Sequence, residues 1–195
     1  PFMLDLEKQI KEFTKKNKVK LRVFNCIKGQ LFQEYLKIIK KPKFKTGIAM
    51  NPCIDCRIFI LKKAKKFADS KVIELIATGE VLGQRPMSQT SGAMNLIERE
   101  SGLTGRIIRP LIDLGIKGRS RTKQIALARK FKISYPSPAG GCLLCEKELK
   151  KRFEFLLKRG LDEEEVQLIS LGRHFVINNC WIVLGRNEQE NNGCR

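Results

Sequence analysis

Four of the cysteines stand in two Cys-x-x-Cys pairs, Cys53 with Cys56 and Cys142 with Cys145. A turn brings positions i and i+3 to one side, so each pair can put two sulfurs on one ion. Together they make a four-thiolate set that suits tetrahedral zinc or an iron–sulfur cluster. Cys56 and Cys142 are 86 positions apart, far more than the loop of a zinc ribbon. The site must therefore join distant parts of a fold. The cysteine count, seven, is odd, and Pro1 to Lys20 is charged and helical in pattern rather than a secretory signal. That combination points to the cytoplasm, and to metal or redox chemistry rather than a disulfide framework. Cys26, Cys180 and Cys194 carry no motif and read as buried free thiols.

Other residue types narrow the chemistry. His174 is the only histidine and reads as a structural polar residue at the start of a hairpin. Histidine triads and histidine-built zinc sites are therefore set aside. Ala77–Thr78–Gly79–Glu80 follows an apolar run, Val72 to Ala77, expected to be a strand. Glycine at the carboxyl end of a parallel strand lets a ligand approach the backbone, and ligands sit at that edge of an open α/β sheet. The segment 118–124 (GRSRTKQ) gathers Arg119, Arg121 and Lys123 around an expected helix start with Ser120 as its cap. Cations and free N–H groups there suit phosphates. Arg85, in the loop 83–89 (GQRPMSQ), joins them as an expected RNA contact. Lys62, Lys63, Lys65 and Lys66 add a basic face beside the first cysteine pair. Neither GxxxxGK[ST] nor GxGxxG occurs.

The elements that must position these groups alternate. Helices are expected over Leu4 to Phe13, Leu31 to Ile39, Cys53 to Phe67, Gly92 to Glu100, Ser120 to Phe131, Glu146 to Arg159 and Asp162 to Ser170. Strands are expected over Val19 to Val23, Val72 to Ala77 and Arg106 to Arg109, and a hairpin from His174 to Leu184 around Asn178–Asn179. Tyr135 to Gly141 (YPSPAGG) is neither helix nor central strand. This order predicts an α/β fold with a parallel sheet up to about residue 131, followed by a small α+β module.

The chain has 195 residues, 42% of them hydrophobic, enough for a real core. No apolar run reaches the ~18 residues that cross a bilayer. Lys plus Arg is 39 and Asp plus Glu is 20, a formal net charge of +19. On a surface of about 9,000 Å² that is roughly one uncompensated positive charge per 500 Å². Such density favours a polyanion partner over the lysine-rich surface of some thermophiles.

Read together, MNPCIDC (50–56), IATGEVLGQRPMSQ (76–89), RPL (109–111), GRSR..Q (118–124) and YPSPAGGCLL (135–144) resemble PP-loop ATPases of the tRNA thiouridylase type. These are related to tRNA 2-thiouridine and 4-thiouridine synthases. The resemblance runs from about residue 1 to residue 159. The tail, Gly172 to Asn192, is weakly similar to an RNA-binding module of ribosome quality-control proteins. The resemblance implies a Rossmann-like, adenine-nucleotide α-hydrolase-like sheet. It implies a tRNA sulfurtransferase that adenylates a uridine carbonyl with ATP and Mg2+, then replaces the oxygen with sulfur from a donor. In several relatives three cysteines hold a [4Fe–4S] cluster, and Cys53, Cys56 and Cys142 match them. Cys145 falls where the family pattern has no ligand, and as a fourth ligand it would close the open iron. Ala77, Thr78, Gly79 and Glu80 would line the nucleotide pocket.

No SGGxDS ATP loop is present, so the chain reads as an N-terminally truncated relative. Its expected organisation is an α/β domain lacking that loop (1–131), a cysteine-bearing segment and helix (132–160), and a small C-terminal module (161–195). Two rival readings stand beside this one. One is a non-catalytic RNA-binding protein with a structural four-cysteine Zn2+ site. The other is an ATP-using enzyme acting on a small molecule.

Overall fold

A computed structural model describes residues 7–45, 47–135, 141–169 and 171–192. The expectations for Pro1 to Leu6, Pro136 to Gly140, Ser170 and Cys194 lie outside the described residues. After α1 (Glu7–Lys16), helix α2 (Gly29–Lys40) buries Phe32, Tyr35 and Ile39. Their spacing of three and four makes one stripe. Helix α3 (Cys53–Asp69) starts directly after Pro52. It buries Ile54, Ile58 and Leu61 on one side and Phe59 on another, and so joins two apolar clusters.

Strand β1 (Ile76–Ala77) pairs in parallel with β2 (Ile107–Ile108). Between them runs α4 (Ser91–Ser101). Thr90 caps α4, its hydroxyl accepting from the Ala93 N–H at 3.2 Å. Gly102, at φ +69°, closes α4 in the left-handed conformation. A further parallel contact, Leu82 with Lys117, extends the sheet direction towards the loops. Next come α5 (Pro110–Asp113) and α6 (Thr122–Lys130), then two 3₁₀ turns, Leu143–Cys145 and Lys147–Leu149. The chain ends with α7 (Lys150–Arg159), α8 (Glu165–Leu168), the antiparallel pair β3 (Arg173–Ile177) and β4 (Cys180–Leu184), and α9 (Glu188–Asn192). None of the helices among the described residues is long and apolar enough to cross a membrane.

The α/β character and the parallel pairing agree with the sequence reading, but the sheet is smaller than expected. Val19 to Val23 is not a strand: no described residue pairs with it, and all three alternating apolar side chains are exposed. Of Val72 to Ala77, only the last two residues find a partner. Alternation marks a segment able to form a strand, but a ladder needs a second backbone. The helix expected from Glu146 begins at Lys150, because Leu143 to Leu149 is wound into the two tighter turns. The cap of α6 is Arg121, one residue later than expected; the Ser120 hydroxyl accepts from the Thr122 N–H at 3.3 Å. The helix expected from Asp162 shortens to α8. Asp162 and Glu165 exchange backbone-to-carboxylate hydrogen bonds ahead of it, as in a capping box.

The larger apolar cluster takes Phe32 and Tyr35 from α2, Phe59 from α3, Leu144 from the first 3₁₀ turn, Phe153 and Leu156 from α7, and Ile169. It thus draws on each of the expected units 1–131, 132–160 and 161–195. Each such side chain contributes about 1.5–3 kcal/mol on burial. This core fixes the first 3₁₀ turn against the start of α3.

Candidate functional site

The second cysteine pair reaches the first through one backbone bond. The Asn51 N–H donates to the Leu144 carbonyl at 3.0 Å. Asn51 holds a positive φ of 42°, a conformation asparagine tolerates better than most residues. Leu144 is fully buried and anchors its turn. Within that turn the Cys145 N–H donates to the Cys142 carbonyl at 2.8 Å, folding the two cysteines together. Cys53 is the first residue of α3 and Cys56 lies one turn further on.

The sulfurs meet as follows. Cys53 Sγ is 3.3 Å from Cys145 Sγ, and Cys145 also shares a hydrogen bond with the Cys142 thiol. Cys56 Sγ is 3.2 Å from the hydroxyl of Tyr35. Cys53, Cys142 and Cys145 line a cleft of about 480 Å³ together with Arg85, Arg119 and Arg121. Two links hold the cationic loops there. The Gly118 N–H donates to the Leu82 carbonyl at 2.7 Å, and the Gln84 side-chain amide donates to Gln124 at 3.1 Å. Arg85, Arg119 and Arg121 are exposed and form no ion pair among the described residues. Lys123 is exposed on the first turn of α6 and does not line the cleft.

The thiols differ in acidity. The hydrogen bond from Cys145 holds Cys53 below the ordinary thiol value, with Arg85 assisting. For Cys145, the bond from Cys142 pulls downward. Its own donation to Cys53 and its burial outweigh that and push it up to about 11. Burial pushes Cys56 up to about 11 against the opposing bond from Tyr35. Cys142 is raised by its bond to Cys145 and by burial.

An all-thiol donor set suits a soft metal. Two sulfurs on one tetrahedral zinc ion stand about 3.8 Å apart, given bonds of about 2.3 Å. The 3.3 Å contact is a few tenths of an ångström tighter. Among the described residues no three Cys, His, Asp or Glu groups form a ready-made metal site. The donor set fits, and metal entry requires the sulfurs to spread and release protons.

At the sheet end, Gly79 has open space where a Cβ would stand and needs no left-handed backbone. Neither packing nor conformation demands glycine there. Thr78 donates its backbone N–H to Ile108 at 3.0 Å and its hydroxyl to Glu80 at 3.1 Å. Ala77 pairs with Ile108 and is exposed. Glu80 is 1% exposed and forms a hub. It accepts from Arg57 Nε and Nη2 at 3.1 and 2.8 Å and from Arg109 Nε at 3.1 Å. Arg109 also donates to Glu98 at 2.9 Å. Burial would raise the Glu80 carboxyl, but the two guanidinium groups and Thr78 hold it below the usual range.

Sequence reasoning missed Arg57, Glu98 and Tyr35, and gave Arg109 no role although it opens the motif RPL. Arg57 lies one turn after Cys53, which was its one available signal; Glu98 and Tyr35 have no local mark. His174 is structural, accepting from Trp181 Nε1 at 3.1 Å and contacting the Leu171 carbonyl.

Compared with known families, residues 3–148 match the family described as "Thiamine biosynthesis protein (ThiI)". Comparison with curated proteins and with solved structures found no match.

Proposed function

The chain belongs to the ThiI family, PP-loop ATP-using sulfurtransferases of tRNA thiolation, and on that premise we propose that it thiolates a tRNA uridine at the cysteine cleft. Arg85, Arg119 and Arg121 hold RNA phosphates and bring the target base to the thiols. The open space at Gly79, beside Ala77 and Thr78, receives ATP with Mg2+. Glu80, held by Arg57 and Arg109, fixes that strand end rather than touching the nucleotide. The uridine carbonyl oxygen attacks the α-phosphorus of ATP and pyrophosphate leaves. A sulfur from a donor then bonds to the activated carbon, and the oxygen departs with AMP. Cys53, Cys56 and Cys142 would hold a [4Fe–4S] cluster, which would supply an iron able to bind sulfide as an anion.

One observation carries this reading: the Asn51–Leu144 bond brings thiols from distant parts of the chain to a cleft lined by arginines without ion pairs among the described residues. Anaerobic reconstitution with iron and sulfide tests it. Brown protein with visible charge-transfer absorption is expected, lost on Cys53→Ala, Cys56→Ala or Cys142→Ala. Colourless protein holding one zinc would overturn it.

The contact of Cys145 with Cys53 favours a second reading, a structural four-thiol zinc site in an RNA-binding protein. Cys145→Ala separates the two. Loss of the metal supports zinc; a retained cluster supports the sulfurtransferase.

A further inference from the structure

Tyr35 lies 21 positions before Cys56, in the middle of α2, and is 5% exposed. Its ring packs at 5.6 Å from that of Phe59, and its hydroxyl reaches the Cys56 sulfur at 3.2 Å. While Cys56 is a thiol, either group can donate that hydrogen bond. Once a metal binds the sulfur and its proton is released to solvent, the sulfur can only accept. The phenol O–H, 3.2 Å away, is then the donor of the pair and the sulfur its acceptor.

We propose that Tyr35 is a positioning residue of the thiol site, the fixed hydrogen-bond donor to Cys56 in its metal-bound form. The proposal rests on the reading that these thiols bind a metal, whether iron or zinc. A donor to a ligating sulfur fixes its rotamer and draws electron density from it, which tunes the metal. α2 is thereby coupled to the site, because the same side chain anchors the apolar cluster and orients the ligand.

Cobalt(II) is the probe, titrated anaerobically into the metal-free full chain, whose sulfur-to-cobalt absorption reports the sulfur directly. Tyr35→Phe keeps the ring and removes only the hydroxyl. It is expected to take cobalt in the same ratio, with the charge-transfer band at lower energy and affinity about tenfold weaker. Phe59→Leu is the packing control, expected to lower the thermal midpoint and leave the band in place. A Tyr35→Phe band and affinity equal to the wild type would overturn the proposal. So would equal band shifts in both variants, which would make Tyr35 only a packing residue. Wild type that binds cobalt but forms no iron–sulfur chromophore would overturn the cluster reading alone, and the band comparison would still decide Tyr35. Wild type that binds neither overturns both.

Discussion

Cys53 is the thiol best prepared to ionise, and the reason is local. It sits where the unpaired N–H groups of α3 favour negative charge, accepts the Cys145 hydrogen bond and faces Arg85. Cys53 is held below the ordinary thiol value, whereas Cys56 and Cys145 are pushed up to about 11. In metal-free protein at pH 7.5, iodoacetamide should therefore modify Cys53 roughly tenfold or more ahead of Cys145. The preference should shrink only as pH approaches 11 and the other thiols lose their protons. Peptide mass spectrometry reads this directly, and equal labelling at pH 7.5 would show that Cys53 is not the more acidic thiol of the pair. The i, i+3 cysteine spacing was legible in the sequence because it is a property of one turn. The bond that unites the pairs was not, since nothing near Asn51 announces a partner at Leu144. Tyr35 was hidden too, because its position fits an ordinary amphipathic helix.

Elements were legible where the sequence pattern is self-sufficient. The stripes of α2 and α3 read as helix, and Asn178–Asn179 read as a hairpin turn. Both asparagines have positive φ, 49° and 62°, as a type I′ turn requires. Asn178→Val should cost about 1 kcal/mol, the penalty of a β-branched residue in that region. Trp181, the only tryptophan, stacks on His174, so its fluorescence during urea unfolding reports the loss. Elements were illegible where a second segment decides. Val19 to Val23 alternates like a strand, yet no described backbone meets it. Glu80 read as a nucleotide contact because it follows Thr78–Gly79; its burial between Arg57 and Arg109 depends on α3 and β2 converging there. Glu80→Gln should cost about 3 kcal/mol, since it leaves Arg57 without its anion and Arg109 with Glu98 alone. The carboxyl of Glu80 is lowered in the folded state. Its contribution is therefore present above the unfolded carboxylate value of about 4.3 and lost as pH falls through the lower folded value. Denaturation midpoints of wild type and variant should differ at pH 7 and converge in acid.

For the whole molecule, the excess of 39 cationic over 20 acidic side chains matters less than where the unpaired cations stand. A minority of lysines and arginines are matched among the described residues, such as Lys63 with Glu34, Lys65 with Asp69 and Arg106 with Asp69. The arginines at the thiol cleft are not. A diffuse cationic surface would bind RNA with a salt dependence that hardly notices one residue. A cleft that grips phosphates would show discrete losses. Each phosphate neutralised on a single strand contributes about −0.7 to the slope of log K against log salt, and about −0.9 on a duplex. Arg119→Ala and Arg121→Ala, and likewise Arg85→Ala, should each weaken tRNA binding and flatten that slope by about one. Lys18→Ala, on an exposed turn after α1, should change it much less. Filter binding between 50 and 300 mM salt measures both. A slope near zero in the wild type would mean that phosphates are not the ligand, and would favour a small-molecule substrate for the same cleft. A steep slope that no cleft arginine alters would move the RNA to another face and separate it from the thiols, leaving the sulfurs with no base to modify.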